Sequence, residues 1–492
     1  MNTADYLLQN AREEKIVLFD ASGSFTYADL HRAAARLAGE LLAAGLRAGE
    51  RVGIFGANSL FWVASYLASL KIGAVAVPFS SLLTRDDIRR NAEFAHIRAV
   101  LVDRRQMRAS TGVFSDSVAV ITDEILASSG PSLWPSTPEN FDDDSDAALM
   151  FTSGTTARPK AVRVTHANIQ ANTDSIIQYL DLRESDRMLV ILPFFYCFGT
   201  SLLHTHLRAG GSLALCNSFA FPETALDMME QTECTGFAGV PSSFQLLLRI
   251  STFSRRELPS LRLIQQAGGK LHGVLVRELV EAKPKAKVFV MYGQTEATAR
   301  LSYLPPEMLG TKLGSIGKGI PGVELSVLGD EGRPVKPGEI GEIVARGRNI
   351  SPGYLDDPQA TAAKFVDGAL RTGDLATVDE DGYIYVVDRA DDFIKSWGYR
   401  VSSQEIESCV LELQDVVSAA AVGVPSLESG EAIHVFAVLR PDSNLTADAV
   451  LAHCREHLAK YMIPERITFI DKLPLNSNGK VVKSELRKRA EE

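Results

Sequence analysis

Residues 152–160 read Thr-Ser-Gly-Thr-Thr-Ala-Arg-Pro-Lys, and an apolar strand expected over 147–151 runs straight into them. Thr152, Ser153, Thr155 and Thr156 bring hydroxyls, and a loop of this kind can aim several backbone N–H and side-chain O–H donors at one anion. Gly154 lets the main chain approach without a Cβ. Lys160 closes the loop with a cation suited to phosphate. The spacing is not the GxxxxGK[ST] of a Walker A loop.

Four further segments carry chemistry. Met291-Tyr-Gly-Gln-Thr-Glu-Ala297 follows a strand expected over 287–291. There Tyr292 can stack on a flat base, although a strand-end tyrosine taken alone is more often part of a core, and Glu296 is a carboxylate of the kind that holds Mg2+. Gln266-Ala-Gly268-Gly269 ends another strand. Arg371-Thr-Gly-Asp374, followed by 382–389 ending in Arg389, offers a carboxylate to paired ribose hydroxyls with an arginine nearby. Beyond it lie Lys395, the run Trp397-Gly398-Tyr-Arg400, and Lys480, which follows the turn pair Asn478-Gly479.

These segments need a scaffold that gathers strand ends. Helical spacing over 27–44, 59–70 and 84–93 alternates with short apolar strands at 51–55, 74–78 and 99–102. The alternation resumes with strands at 187–192, 211–216, 236–240, 261–267 and 287–291. It predicts an α/β protein with mainly parallel sheets covered by helices, whose ligands bind at the carboxyl ends of the strands. Pro, Ser and Asp over 131–145 mark a surface connection. From about residue 314 closely spaced strands at 323–328, 341–346 and 383–387 predict a small antiparallel, barrel-like unit over 314–388. A boundary near 388–391 then separates a large N-terminal domain, 1–388, from a small α+β domain, 389–492, with helices at 403–413 and 446–458 and strands at 416–424 and 433–439.

Composition narrows the class. The 492 residues carry a formal net charge of −10 with both signs interspersed, which argues against nucleic-acid or anionic-membrane binding. The cysteines, Cys197, Cys216, Cys234, Cys409 and Cys454, include no CxxC pair and suit free thiols in a cytoplasmic setting. Residues 1–15 lack the apolar core of a signal peptide. The most apolar stretch, 60–79, is broken by Lys71, Gly73 and Pro78 and reads as a buried helix and strand rather than a membrane span.

Taken in order, the segments from Phe25 to Arg487 resemble the acyl-adenylate-forming superfamily: acyl- and aryl-CoA ligases, adenylation domains of peptide synthetases, and luciferase-like enzymes. The resemblance implies a hinge at Asp391 and a mobile C-terminal domain. It makes residues 152–160 the phosphate loop and sets Tyr292, Gly293 and Gln294 with Gly268 and Gly269 around the nucleotide. Thr295 meets the α-phosphate, Glu296 holds Mg2+, and Asp374 and Arg389 hold the ribose. Lys395 and Arg400 lie in matching segments near the nucleotide. Lys480 bridges carboxylate and phosphate during adenylation, and Gly398 lines the thiol tunnel of the second half-reaction. Lys160, Thr295, Glu296 and Lys480 are thus the expected catalytic set, with ATP and Mg2+ as cofactors.

The acid and its acceptor are less constrained. Relatives that bind CoA often carry His where Tyr196 stands in Pro193-Phe-Phe-Tyr-Cys-Phe-Gly199. Amino-acid-activating relatives carry an Asp soon after this segment. Here Thr200-Ser-Leu-Leu-His-Thr-His206 has no carboxylate, and an unpaired ammonium in an apolar pocket is costly. The expected substrate is therefore an aryl, cyclic or medium aliphatic acid without an α-amino group, in a pocket of Phe195, Tyr196, Phe198, Gly239, Gly268 and Met291. His204 and His206 lack an apparent third ligand for a metal. CoA is the expected acceptor, with a phosphopantetheinyl carrier protein or an amino acid, forming an amide, as alternatives. A luciferase-like oxidation shares every motif, and a non-enzymatic nucleotide-binding protein is the reading of another class.

Overall fold

The computed structural model describes residues 1–491 apart from 108–111, 128–132, 139–140, 153–158, 390–392, 427 and 477–478; for Asp388, Arg389 and Arg400 it describes the main chain alone. Among the described residues the chain forms four sheets. A seven-stranded sheet centres on Asp146–Phe151, Val75–Phe79, Arg51–Phe55 and Ile97–Val102, all parallel, with Ala161–Thr165 antiparallel beside Asp146–Phe151. A nine-stranded sheet places Gly236–Gly239, Leu263–Gln266 and Lys287–Tyr292 side by side and parallel. Their carboxyl ends therefore open together, which is the edge where ligands bind in such sheets.

The sequence dictates much of this locally. Strands buried on both faces read as unbroken apolar runs, as in Val75–Phe79. Helix starts are marked by reciprocal caps: Thr26 with Asp29, Thr84 with Asp87, and Thr165 with Asn168. Helix Leu60–Lys71 is buried from Phe61 to Lys71. Its Lys71 ammonium, taken out of water, is compensated by Asp5 at 2.7 Å. No helix among the described residues is long and apolar enough to cross a membrane.

The β-rich stretch forms a five-stranded antiparallel sheet from Val323–Leu328, Gly341–Gly347, Phe365–Val366, Ala369–Val378 and Ile384–Arg389. Helix Pro358–Lys364, started by the Asp357 side chain and Pro358, interrupts it and was not expected from the strand spacing. Helix Thr3–Leu8 also went unforeseen, because its six residues are too few to display a period. The last sheet joins Phe393–Ser396, Tyr399–Ser402, Val416–Ser426, Gly430–Leu439 and Arg466–Phe469, flanked by helices Ser403–Leu411, Ala447–His457 and Lys483–Glu491.

Buried histidines tie distant segments together. His166 Nδ1 accepts from the Thr3 main-chain N–H at 3.3 Å and lies 2.9 Å from the Thr3 hydroxyl, which anchors the first helix. His204 Nε2 lies 2.9 Å from the Tyr66 hydroxyl. Burial lowers both pKa values, His166 to about 4 and His204 to about 3. Each is neutral when folded, whereas the unfolded chain takes up protons near pH 6.5. Their stabilising effect is complete above that pH and is lost as pH falls. Between pH 6.5 and 5 each should cost about 2 kcal/mol. Thermal melts should show a falling midpoint across this window, and the slope should shrink in His166→Asn.

Candidate active site

The centre of the site is a chain reversal. Strand Lys287–Tyr292 ends in Gly293, where a Cβ would stand 2.0 Å from the Ala299 carbonyl oxygen. Only glycine permits that approach. The Leu301 N–H returns to the Tyr292 carbonyl at 2.9 Å. Between them Thr298 has φ 65° and ψ −55°, and the Ala299 N–H bonds to the Ala297 carbonyl at 2.7 Å. This is a γ-turn with positive φ at a β-branched residue, a strained conformation. The Thr298 hydroxyl compensates by donating to the Asn349 carbonyl at 2.7 Å.

The reversal presents three side chains to different partners. Tyr292 donates to Asp374 at 2.6 Å. Thr295 Oγ1 lies 3.5 Å from Cys197 Sγ. Glu296 accepts from the Tyr354 hydroxyl at 2.7 Å and lies 3.7 Å from the Lys364 ammonium. Lys160 sits with its Nζ 4.0 Å from the centre of the Tyr354 ring, a cation–π contact. Burial and the Glu296 charge hold the Tyr354 phenol far above its usual range, so it stays a donor. Tyr354 thus links the loop lysine to the acidic residue. Neither Tyr354 nor Lys364 stood out in the sequence, since each lies in a segment without a motif.

Tyr292, Gly293, Gln294 and Asp374 line a cleft of about 570 Å³ together with Gly268, Gly269, Met291 and Lys480. Lys480 reaches it from the C-terminal unit. That unit is held against the larger one by Ser242 Oγ donating to the Gly479 carbonyl at 3.0 Å and by Arg249 Nε donating to the Val416 carbonyl at 3.3 Å. The Lys480 charge is felt at Cys197, whose thiol pKa is pushed up chiefly by burial.

Of the expected acid-pocket residues, Gly268 and Met291 line the cleft, and Phe195, Tyr196, Phe198 and Gly239 are not among its lining. Tyr196 and Phe198 are buried, with their rings edge to face at 6.4 Å. The Tyr196 hydroxyl closes on Gly268, where a Cβ would stand 2.9 Å away. Burial drives its pKa up, so it does not titrate near neutrality. Phe195 is half-buried, and Gly239 packs against Ser243, Phe237 and Phe244. By its sequence this neighbourhood is apolar and aromatic. The structure adds Arg300, 1% exposed, with its guanidinium 4.0 Å above the Phe198 ring. No local pattern in the sequence sets Arg300 apart.

Other expected residues lie apart. Lys395 is exposed and pairs across a hairpin with Arg400, and Gly398 turns that hairpin with φ 82°; Lys395 and Gly398 are not among the residues lining the cleft. The main chain of Arg389 pairs with Asp374. Thr152 N–H bonds to the Lys160 carbonyl at 3.0 Å, closing the base of the loop. Ser153, Gly154, Thr155, Thr156 and Asp391 fall outside the described residues. His204 and His206 are buried, and His206 Nδ1 lies 2.9 Å from the Leu202 carbonyl.

Residues 8–355 match the family model of the AMP-binding enzyme, and residues 405–480 match that of the AMP-binding enzyme C-terminal domain. The chain belongs to the AMP-binding enzyme family. It is 34% identical over 481 residues to a feruloyl-CoA synthase of an Amycolatopsis species, covering 95% of this chain and 94% of that protein. An oxalate–CoA ligase of Arabidopsis thaliana is 31% identical over 481 residues, 94% of this chain and 93% of the relative. The solved structure of an anthranilate CoA ligase with anthranoyl-AMP superposes with a TM-score of 0.92 at 27% identity, covering 100% of this chain and 97% of the other. The protein is thus an AMP-forming acid ligase with an α/β fold and a C-terminal α+β unit. In this AMP-forming ligase, Tyr354→Phe should cut acid-dependent pyrophosphate release by about 10-fold or more, the worth of a hydrogen bond to a charged group. The check is steady-state kinetics beside an unchanged circular dichroism spectrum.

Proposed function

We propose that this enzyme condenses a carboxylic acid lacking an α-amino group with ATP, releasing pyrophosphate, and passes the acyl group to CoA. The observation that carries the reading is the meeting of Lys480 with Tyr292, Gln294, Gly268 and Asp374 around one cleft. CoA is supported by the feruloyl- and oxalate-specific relatives, both CoA ligases aligned over nearly their whole length. The absence of an α-amino group rests on helix Cys197–Ala209, which contains no carboxylate.

Attack of a carboxylate on the α-phosphate brings two anions together. Lys480 neutralises the approaching pair, and Thr295 donates to the phosphate oxygen as charge builds. Glu296 fits as the Mg2+ ligand: it is a carboxylate linked through Tyr354 to Lys160, with Oε1 already fixed by the Tyr354 hydroxyl. The ion supplies charge neutralisation on the triphosphate. Asp374, 2.6 Å from the Tyr292 hydroxyl, receives the ribose beside the adenine stacked near Tyr292. Lys160 and the 152–158 loop hold the leaving phosphates. The C-terminal unit, residues 389–492, then swings about Asp391 and replaces Lys480 with the Gly398 hairpin, so that one cleft serves both half-reactions.

Incubation with ATP, a panel of acids and either CoA, a holo-carrier protein or amino acids, read by pyrophosphate release and mass spectrometry, should give acyl-CoA. Lys480→Ala should lower adenylation by about 100- to 1,000-fold, as loss of one transition-state donor does. Acyl transfer from preformed adenylate should change far less. Equal losses in both half-reactions would remove Lys480 from its assigned role.

A further inference from the structure

Arg300 is out of place in an acid pocket of aromatic side chains. Its side chain is 1% exposed, and its Nε and Nη2 are buried without a hydrogen-bond partner. Among the described residues no carboxylate lies within ion-pair distance of it. Glu296, the nearest acidic residue in sequence, is engaged by Tyr354 and Lys364 instead. A cation–π contact with Phe198 offsets part of the desolvation cost, but it leaves the Nε–H and Nη2–H groups unanswered. A buried guanidinium in this condition is strongly destabilising unless an anion joins it.

Its main chain is fixed for a different reason. The Arg300 carbonyl accepts from Asn172 Nδ2 at 3.1 Å and Asn349 Nδ2 at 2.9 Å, so the γ-turn at Thr298 aims the side chain inward. Side-chain contacts connect this region to the cleft. Met291 lines the cleft, its Sδ accepts from the Tyr179 hydroxyl at 3.0 Å, and the Arg300 charge bears on the Tyr179 phenol. Met291 is an unbranched thioether that repacks readily. A ligand group that displaced Met291 from the cleft side would come against Tyr179 and approach Arg300.

We propose that Arg300 is the counter-ion for a second carboxylate of the substrate, so that the acid activated here is a dicarboxylic acid. This rests on the adenylation reading above and narrows its substrate class. One carboxylate meets Lys480 and Thr295 and reacts with ATP. The other pairs with Arg300, whose planar fork matches a carboxylate in two parallel hydrogen bonds. No bond forms or breaks at Arg300; it selects and orients.

The test compares malonate, succinate, glutarate, adipate and terephthalate with their monomethyl esters, in pyrophosphate release by the full chain. At least one diacid should turn over with kcat/KM about 100-fold above its half ester, the range expected for truncating one partner of a buried charge pair. Arg300→Met should erase that preference, leave KM for ATP unchanged and keep turnover of the half ester. Arg300→Lys should restore part of the diacid preference, and this variant and the wild-type series serve if Arg300→Met fails to fold. Turnover of monoacids or half esters as readily as diacids overturns the assignment of Arg300 while adenylation stands. A raised KM for ATP in Arg300→Met overturns it too, because the anion held is then a nucleotide phosphate. Release with no acid at all overturns both readings.

Discussion

The site depends on one steric constraint, the contact between Gly293 and the Ala299 carbonyl. It forces the chain to double back directly after a central strand of the nine-stranded sheet. The γ-turn at Thr298 completes the reversal at a cost of about 1–3 kcal/mol in backbone strain. Hydrogen bonds from Thr298, Asn172 and Asn349 hold it there. Within nine residues the chain thereby delivers Tyr292 toward Asp374, Thr295 toward Cys197, Glu296 toward Tyr354 and Arg300 under Phe198. A longer and looser loop would hold these groups less firmly, and preorganisation of charged groups is where such a site gains most of its effect.

Around that reversal the fold assembles charges from remote parts of the chain. Lys160 comes from the loop after Asp146–Phe151, Asp374 from the antiparallel sheet, and Lys480 from the C-terminal unit. Of the positive groups Lys480 lines the cleft, and aromatic faces accompany two others. Lys160 lies over Tyr354 and Arg300 over Phe198. An aromatic face partly compensates a cation without neutralising it, so the charge remains available to an incoming anion.

The sequence alone carried the α/β class, because unbroken apolar strands and capped helices alternate along it. It also carried the nucleotide chemistry, because glycine, hydroxyl and lysine residues recur at strand ends in a fixed order. The family membership follows from that order. Less legible were short elements such as Thr3–Leu8 and Pro358–Lys364, where too few residues exist to show a period, and the partner residues Tyr354 and Lys364, which no local pattern distinguishes.

Only the tertiary structure decided how the pocket is charged. Phe195, Tyr196, Phe198 and Met291 read as an aromatic and apolar lining, and no local pattern singles out Arg300. Whether an arginine faces water or a sealed interior depends on the turn before it and on what packs above it. Here a positive φ at Thr298, two asparagines on the Arg300 carbonyl and the Phe198 ring on its guanidinium settle the matter. Burial of a charge is a property of the packed chain, and sequence spacing does not encode it.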